Sequence, residues 1–144
     1  MNVVVKVLIS DLDGNVLLLR RSVTHPTLAF EMDLPGGLVD PGETHDEALL
    51  REVMEETGLG LRDITHVYER VSVYGYFHKL YEAQLPSVKP QIDVSWEHDH
   101  YHWISSDAFV DHLEGRDEYM VTVRQYLETN RKGALNIYKI VSES

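Results

Sequence analysis

The chain has 144 residues, a length that favours one domain over residues 1–144, and its 43% hydrophobic and 26% charged residues are typical of a globular protein. Its 13 Lys and Arg residues against 24 Asp and Glu residues give a net charge of −11, which argues against a surface that coats nucleic acid or anionic lipid. The absence of cysteine excludes disulfides, thiolate metal sites and cysteine nucleophiles. No apolar run approaches the ~18 residues of a membrane span, and no signal peptide is visible, so we expect a soluble, cytoplasmic protein without a membrane partner.

The first third of the chain predicts two strands and a loop. Residues 3–9 and 16–19 are rich in Val, Ile and Leu and are predicted strands, joined as a hairpin by an Asp-Gly turn. Residues 22–28 contain a His-Pro pair, and because the residue before a proline avoids helical geometry, this segment is a predicted loop. Residues 32–37 form a short predicted strand that ends in a turn.

A helix is predicted over residues 44–57, where apolar residues recur at the helical period. Thr44 with Glu47 three residues later matches a capping box, and Gly58 occupies the position of a C-cap glycine. The remaining predicted elements are strands at 64–74 and 76–85, a loop at 86–96, a strand at 101–104 and helices at 106–113 and 119–129. The last helix is expected to end near Gly133. This order, without an internal repeat, predicts a single α/β domain.

Three glutamates share one arc of the helix predicted over residues 44–57. At about 100° per residue, Glu52, Glu55 and Glu56 lie together, and like charges one turn apart repel each other. Mg²⁺ would reverse that cost, because it is a hard cation that takes carboxylate oxygens. Spacing alone leaves a metal site and a solvated acidic face both open. An apolar arc on the other side is expected to pack on the core, and it consists of Leu49, Leu50, Val53 and Met54.

Residues 37–59 carry a longer pattern, G-x5-E-x7-R-E-U-x-E-E-x-G-U, in which U is aliphatic and every specified position matches. The matching residues are Gly37, Glu43, Arg51, Glu52, Val53, Glu55, Glu56, Gly58 and Leu59. This pattern is similar to the Nudix box, and the preceding Pro35-Gly36 also agrees with that family. The resemblance implies a Nudix-type α-β-α sandwich with a mixed β-sheet and a loop-helix-loop box.

The resemblance also implies an activity, namely Mg²⁺-dependent hydrolysis of a nucleoside diphosphate linked to another group, with Mn²⁺ as an alternative ion. Glu43 and Arg51 match positions that fix the loop against the helix and orient the catalytic carboxylates. The general base stays open between Glu52, Glu55 and Glu97, because members of the family differ on this point. The implied metal ligands are Gly37, through its carbonyl, and Glu52, Glu55 and Glu56.

The segment 96–104 resembles the acidic loop and aromatic strand that follow in the family, except that histidines stand at positions 100 and 102. His98, His100 and His102 recur at period two, so we weigh partly exposed histidines on an edge strand against a separate transition-metal site. Trp103 is expected in the core.

Candidate substrate contacts lie elsewhere in the chain. Arg20 and Arg21, at the end of the second predicted strand, could reach a phosphate, although an exposed arginine pair is equally ordinary. Tyr76 is an aromatic candidate for stacking on a base, while aromatic residues in strands more often pack in the core. Met32 stands where relatives often have an aromatic residue.

The leading hypothesis is a Mg²⁺-dependent pyrophosphohydrolase for a small nucleotide, either a nucleoside diphosphate derivative or a nucleoside triphosphate. The alternative is a Nudix-fold sensor that binds a nucleotide and regulates a partner; an isomerase branch that needs a catalytic cysteine is excluded. A homodimer would be common for the family. Residues 37–59 hold seven acidic residues and one arginine, so −6 of the net −11 is concentrated where the metal is expected.

Overall fold

A mixed seven-stranded sheet forms the centre of the molecule in the computed structural model, which describes residues 1–24 and 29–129. The strand order is β3-β2-β1-β6-β5, with β4 also paired to β1 and β7 to β2; β1 and β6 are parallel and the other pairs antiparallel. The strands are β1 Val3–Ser10, β2 Val16–Arg21, β3 Met32–Asp33, β4 Gly36–Leu38, β5 Thr65–Val71, β6 Phe77–Gln84 and β7 His98–Ile104.

Helices cover both faces of this sheet, as the predicted α-β-α sandwich requires. They are α1 His45–Thr57, α2 Ser106–Asp111, a 3₁₀ turn His112–Glu114, and α3 Glu118–Thr129. On one face α1 contributes Ala48, Leu49 and Val53 to a buried cluster with alternate residues of β1 and β2. On the other face α2 and α3 pack through Phe109, Val123 and Tyr126. In the part of the chain that the structure describes, no helix is long and apolar enough to cross a membrane.

The ends of α1 are set by local sequence, as predicted. The Thr44 side chain accepts a hydrogen bond from the Glu47 backbone, and the Glu47 side chain accepts one from the Thr44 backbone, which completes the capping box. Gly58 ends the helix in the left-handed conformation with φ 75°, where a residue with a Cβ would be strained.

Strand pairing differs from the predicted hairpin. β1 and β2 pair only at Ser10 and Val16, and β2 instead pairs along its length with β7. β7 starts at His98, three residues before the predicted start, because this distant pairing adds residues that a local pattern does not single out. The predicted helix end near Gly133 lies outside the described residues.

The apolar arc predicted for α1 is partly wrong. Leu50 and Met54 are exposed, whereas Glu56 and Thr57 are buried beside the apolar contacts of the helix. The packing face and the acidic face therefore overlap, because Glu56 projects from the side of α1 that faces the sheet.

One carboxylate outside residues 37–59 has a pKa near neutrality. Glu82 lies on β6 beside Tyr126 of α3; burial raises its pKa to about 7, although a hydrogen bond with Tyr126 acts in the opposite direction. The folded chain therefore holds this proton more tightly than the unfolded chain. The stability that protonated Glu82 contributes is present in acid and is lost as the pH rises from about 4.5 through about 7.

Glu82→Gln keeps the side-chain shape and removes the titration. We expect it to raise the free energy of unfolding at pH 8 by about 1–2 kcal/mol, after allowance for solvent screening, and to change it little at pH 5. Denaturant unfolding followed by circular dichroism at the two pH values measures this, with Glu69→Gln, at an exposed position of β5, as the control for net charge. An equal gain at both pH values would contradict the assignment.

Candidate active site

Arg51 joins the loop before α1 to the helix. Its Nε donates to Glu43 Oε2 at 2.7 Å and its Nη2 to Glu43 Oε1 at 3.0 Å, a two-point contact. Glu43 Oε1 also accepts from the Asp40 backbone N at 2.9 Å. The hydrogen bonds from Arg51 hold the pKa of Glu43 below its usual range. The pair therefore fixes the loop at Asp40–Glu43 against the helix, in the arrangement that the resemblance implies.

The remaining donor group of Arg51 faces the two neighbouring glutamates. Nη1 lies 3.1 Å from Glu52 Oε1 and 3.3 Å from Glu55 Oε2. Glu52 is largely shielded, with a side chain 15% exposed, while that of Glu55 is 56% exposed. Burial raises the pKa of Glu52, with Glu55 and Glu97 adding to the effect and Arg51 opposing it.

Glu56 is the most buried acid of the box, with 3% of its surface exposed. Its Oε1 accepts a hydrogen bond from the Gly36 backbone N at 2.8 Å. Burial raises its pKa to about 8, against the attraction of Lys6 and the Gly36 N–H. Burying a carboxylate in this way lowers the stability of the folded protein, and such a cost is typical of a functional position.

Two glycines let the backbone of β4 approach its neighbours closely. A Cβ at Gly36, where φ is 134°, would lie 2.0 Å from the Val5 carbonyl oxygen of β1. A Cβ at Gly37 would lie 2.7 Å from Cδ of Glu52. The Glu52 carboxylate therefore occupies the space that a side chain at position 37 would need, and it lies directly over the Gly37 backbone.

A cleft of about 360 Å³ opens between these elements. It brings together Glu52, Glu56 and Glu97 with the cations Lys6 and Arg21. The other lining residues are Val4, Asp33, Gly36, Gly37 and Leu38. The cleft therefore combines carboxylates from two distant segments with the glycine backbone that precedes the helix.

A buried ionic network centred on Asp33 supports the cleft. Asp33 Oδ1 lies 3.1 Å from Lys6 Nζ and 3.2 Å from Arg21 Nη2, and its Oδ2 lies 3.4 Å from His98 Nε2. Arg21 Nη1 also pairs with Asp117 at 3.0 Å. Burial opposes ionisation of Asp33, but these partners outweigh it and hold its pKa well below the usual range.

This network contains residues that the sequence analysis missed, namely Lys6, Asp33 and Asp117. For Lys6 a signal was available, because a lysine in the apolar run Val3–Ser10 is unusual in a central strand. No local pattern marks Asp33 or Asp117, since their meeting depends on the approach of distant segments.

The structure brings Arg21, a candidate substrate contact, and Glu97, a candidate general base, to the cleft. The other two candidate substrate contacts, Arg20 and Tyr76, do not line it. Arg20 is held by Asp99, with contacts of 2.8 and 2.9 Å, and lies over the Phe30 ring. Tyr76 lies in the β5–β6 turn, where its backbone N donates to Ser72 Oγ. Their proposed contacts with substrate therefore stay predictions.

Of the three histidines of β7, His98 lies apart from His100 and His102. A bulge between Arg20 and Arg21 of the partner strand separates His98 from the other two, so that His98 is buried against Asp33. His100 is exposed, and its ring stacks on that of His102 with centroids 6.4 Å apart. Across residues 1–24 and 29–129, no group of three or more His, Asp or Glu side chains forms a ready metal site.

The box nevertheless has the donor chemistry that Mg²⁺ prefers. Glu52 and Glu56 offer carboxylate oxygens beside the Gly37 backbone, and the Glu52 carboxylate fills the place where a side chain at position 37 would lie. Arg51 and the Gly36 N–H hold these carboxylates in place. The residues therefore fit a hard divalent cation that binds through oxygen.

Comparisons with known proteins agree with this geometry. A family model described as NUDIX domain matches residues 1–131. Nudix hydrolase 3 of Caenorhabditis elegans is 33% identical over 84 residues, 58% of this chain and 32% of that protein. ADP compounds hydrolase NudE of Escherichia coli is 38% identical over 61 residues, 42% of this chain and 33% of that protein. The chain thus spans about a third of the length of these curated relatives.

A solved structure gives a more complete match. The crystal structure of a MutT protein from Methanosarcina mazei Go1 has a TM-score of 0.69 and 30% sequence identity, and the match covers 90% of this chain and 95% of that chain. Together with the match of the family model to residues 1–131, this shows that the chain belongs to the Nudix hydrolase family. The predicted family and the α-β-α fold are therefore confirmed.

Gly37→Ala tests the close approach of Glu52. The atoms nearest to the new methyl group belong to the end of a flexible side chain, so we expect the free energy of unfolding to change by less than about 1 kcal/mol. The displaced carboxylate should weaken Mn²⁺ binding by about 10–100-fold, measured by electron paramagnetic resonance titration.

Gly42→Ala is the matched control, because a Cβ there meets nothing within 4 Å. Its cost comes only from the backbone, since alanine is strained at the φ of 85° that Gly42 adopts. It should cost about 1 kcal/mol of stability and leave Mn²⁺ affinity unchanged. Equal Mn²⁺ affinities of wild type and Gly37→Ala would show that the contact between the Glu52 carboxylate and the Gly37 backbone has no role in metal binding.

Proposed function

We propose that this protein is a Mg²⁺-dependent pyrophosphohydrolase that cleaves the diphosphate linkage of a small nucleotide, either a nucleoside diphosphate joined to another group or a nucleoside triphosphate. The cleft carries the proposal, because it joins the box acids Glu52 and Glu56, the Gly37 backbone, a third acid from another segment, Glu97, and the cation Arg21. Carboxylates and cations that face one space suit a bound metal and an anionic substrate together.

Mg²⁺, with Mn²⁺ as the alternative ion, would be held by the Gly37 carbonyl and by Glu52, Glu55 and Glu56. When bound, such an ion neutralises the diphosphate and lowers the pKa of a coordinated water. Glu43 and Arg51 would act as positioning residues: their two-point contact keeps the loop and the helix at a fixed separation, so that Glu52 stays over Gly37.

Glu97 is the proposed general base. A carboxylate that binds a cation is a poor proton acceptor, because the cation depresses its pKa. Glu52 and Glu55 belong to the proposed ligand set, whereas Glu97 reaches the cleft from the loop before β7. Its backbone carbonyl accepts from the Ser22 N at 2.9 Å, which anchors this loop beside β2.

Arg21 is the proposed contact with the substrate. Two of its nitrogens are occupied by Asp33 and Asp117, and the side chain is only 10% exposed. Its Nε is buried and has no hydrogen-bond partner within the described residues. Arg21 lines the cleft, and a shift of its side chain on binding would bring this donor to a substrate oxygen.

The names of the relatives support a small nucleotide substrate. One acts, by its name, on ADP compounds, and a Methanocaldococcus jannaschii protein named ADP-ribose pyrophosphatase is 47% identical over 47 residues, 33% of this chain and 27% of that protein. The box builds the diphosphate site only, so the leaving group is chosen by other loops. Residence in the cytoplasm and a homodimer stay predictions.

Glu56→Gln is the first test of activity. The amide oxygen can still accept from the Gly36 N–H, so the fold should persist, while the loss of a ligand charge should reduce hydrolysis about 100-fold or more. The measurement is release of phosphate or pyrophosphate from a panel of nucleoside triphosphates, nucleotide sugars and dinucleoside polyphosphates with Mg²⁺.

Glu128→Gln, at an exposed position of α3, removes the same charge and should turn over as wild type does. Unchanged turnover in Glu56→Gln would contradict the ligand assignment. If wild type binds nucleotides but hydrolyses none of the panel, the sensor hypothesis is favoured instead.

Glu97→Gln tests whether Glu97 acts as the general base and not as a metal ligand. We expect kcat to fall by about 10²–10⁴ while Mn²⁺ affinity without nucleotide stays within about twofold of wild type. Steady-state kinetics on the best substrate of the panel and a Mn²⁺ titration measure the two effects. An unchanged kcat would return the role of base to Glu52 or Glu55.

A further inference from the structure

Lys6 is a charged residue in the middle of a buried strand. Its neighbours Val5 and Val7 are fully buried, and in the sheet Lys6 lies between Gly36 of β4 and Leu80 of β6. An ammonium group in such surroundings loses hydration and is tolerated only when it is paired. Its presence therefore requires a set of partners, and the proposed catalytic roles above do not use it.

The ammonium group of Lys6 is saturated by protein acceptors. Nζ donates to Asp33 Oδ1 at 3.1 Å, to the Leu34 carbonyl at 2.9 Å and to the Gly36 carbonyl at 3.3 Å. A lysine ammonium has three N–H donors, and all three are occupied. Although Lys6 lines the cleft, it has no donor left for a substrate phosphate.

The three acceptors belong to Asp33, Leu34 and Gly36, in the short segment directly before the box. Gly36 is held at both of its polar groups, since its carbonyl accepts from Lys6 and its N–H donates to Glu56. The peptide that follows carries Gly37, whose backbone faces the Glu52 carboxylate. Lys6 therefore fixes a short backbone segment that touches two of the box acids.

We propose that Lys6 is a positioning residue that presets the Gly37 carbonyl and the Glu56 carboxylate for the divalent cation, through its contacts with Leu34 and Gly36. This inference rests on the proposed function, because it assigns Lys6 a task at the proposed metal site. It also excludes Lys6 from the residues that contact substrate.

The positive charge of Lys6 acts against a nearby cation, so the two effects of its removal oppose each other. Asp33 lies 3.1 Å away and balances this charge, and it keeps Arg21 and His98 as partners when Lys6 is absent. The hydrogen bonds from Lys6 to the carbonyls of Leu34 and Gly36, in contrast, are lost with its ammonium group. Loss of Lys6 should therefore weaken metal binding.

Lys6→Met tests this inference, because it keeps the length of the side chain and removes the donors. In an electron paramagnetic resonance titration without nucleotide we expect the Kd for Mn²⁺ to rise about 10-fold or more. At saturating metal, KM for the nucleotide should stay within about twofold. Lys79→Met is the matched control, since Lys79 lies over the Tyr81 ring on the other face of the sheet and its loss should leave the Kd for Mn²⁺ unchanged.

A second variant, Lys6→Gln, keeps the inference testable if Lys6→Met does not fold. Lys6→Gln retains an N–H donor on a shorter, neutral side chain, and its Kd for Mn²⁺ should lie between those of wild type and Lys6→Met. If Lys6→Met does not fold, a Kd for Lys6→Gln raised above the wild-type value supports the inference. A wild-type Kd in whichever variants fold would overturn it.

The KM for the nucleotide distinguishes a positioning role of Lys6 from a direct contact with the substrate. A raised KM with unchanged Mn²⁺ affinity would also overturn the inference, because it would place Lys6 on the substrate. If wild type binds Mn²⁺ but hydrolyses no nucleotide, the proposed function fails while the Mn²⁺ titration still decides the role of Lys6. If wild type binds no Mn²⁺, both fail.

Discussion

The close pairing of β4 with β1 is the constraint on which the site depends. Only glycine permits it at position 36, because a side chain there would overlap the Val5 carbonyl oxygen. At this separation the Gly36 N–H reaches Glu56 of α1 and its carbonyl reaches Lys6 of β1. One short strand thereby connects the sheet, the helix and the cleft, so that the acids of α1 are placed relative to the sheet and not only relative to each other.

Charge is arranged in two groups around this strand. Glu52 and Glu56 of α1 line the cleft together with Glu97, and Lys6 and Arg21, which line it too, share Asp33. The first group, centred on Asp33, keeps its own charges paired, which limits the cost of burying them. The second group consists of the carboxylates of Glu52, Glu56 and Glu97, which come from two segments far apart in the chain.

Local sequence predicts part of this architecture, and the limits have a physical cause. The ends of α1 follow from Thr44, Glu47 and Gly58, whose capping contacts span only a few residues. The Arg51–Glu43 pair is implied by the resemblance to the Nudix box, and its partners are eight residues apart. The β2–β7 pairing and the Asp33–Asp117 network join segments far apart in the chain, so no window of sequence contains them. The apolar arc of α1 was misassigned because Glu56 occupies a place where burial normally selects a hydrophobic residue.

The position of Glu56 on the packing face of α1 also bears on how this protein could be engineered. A search for thermostability would favour a hydrophobic residue there, since replacing a buried charge with a well-packed apolar side chain is often neutral or stabilising. Such a variant would gain stability by removing an acid of the cleft. In this chain, selection for a more stable core and selection for the proposed chemistry therefore act on the same side chain and in opposite directions.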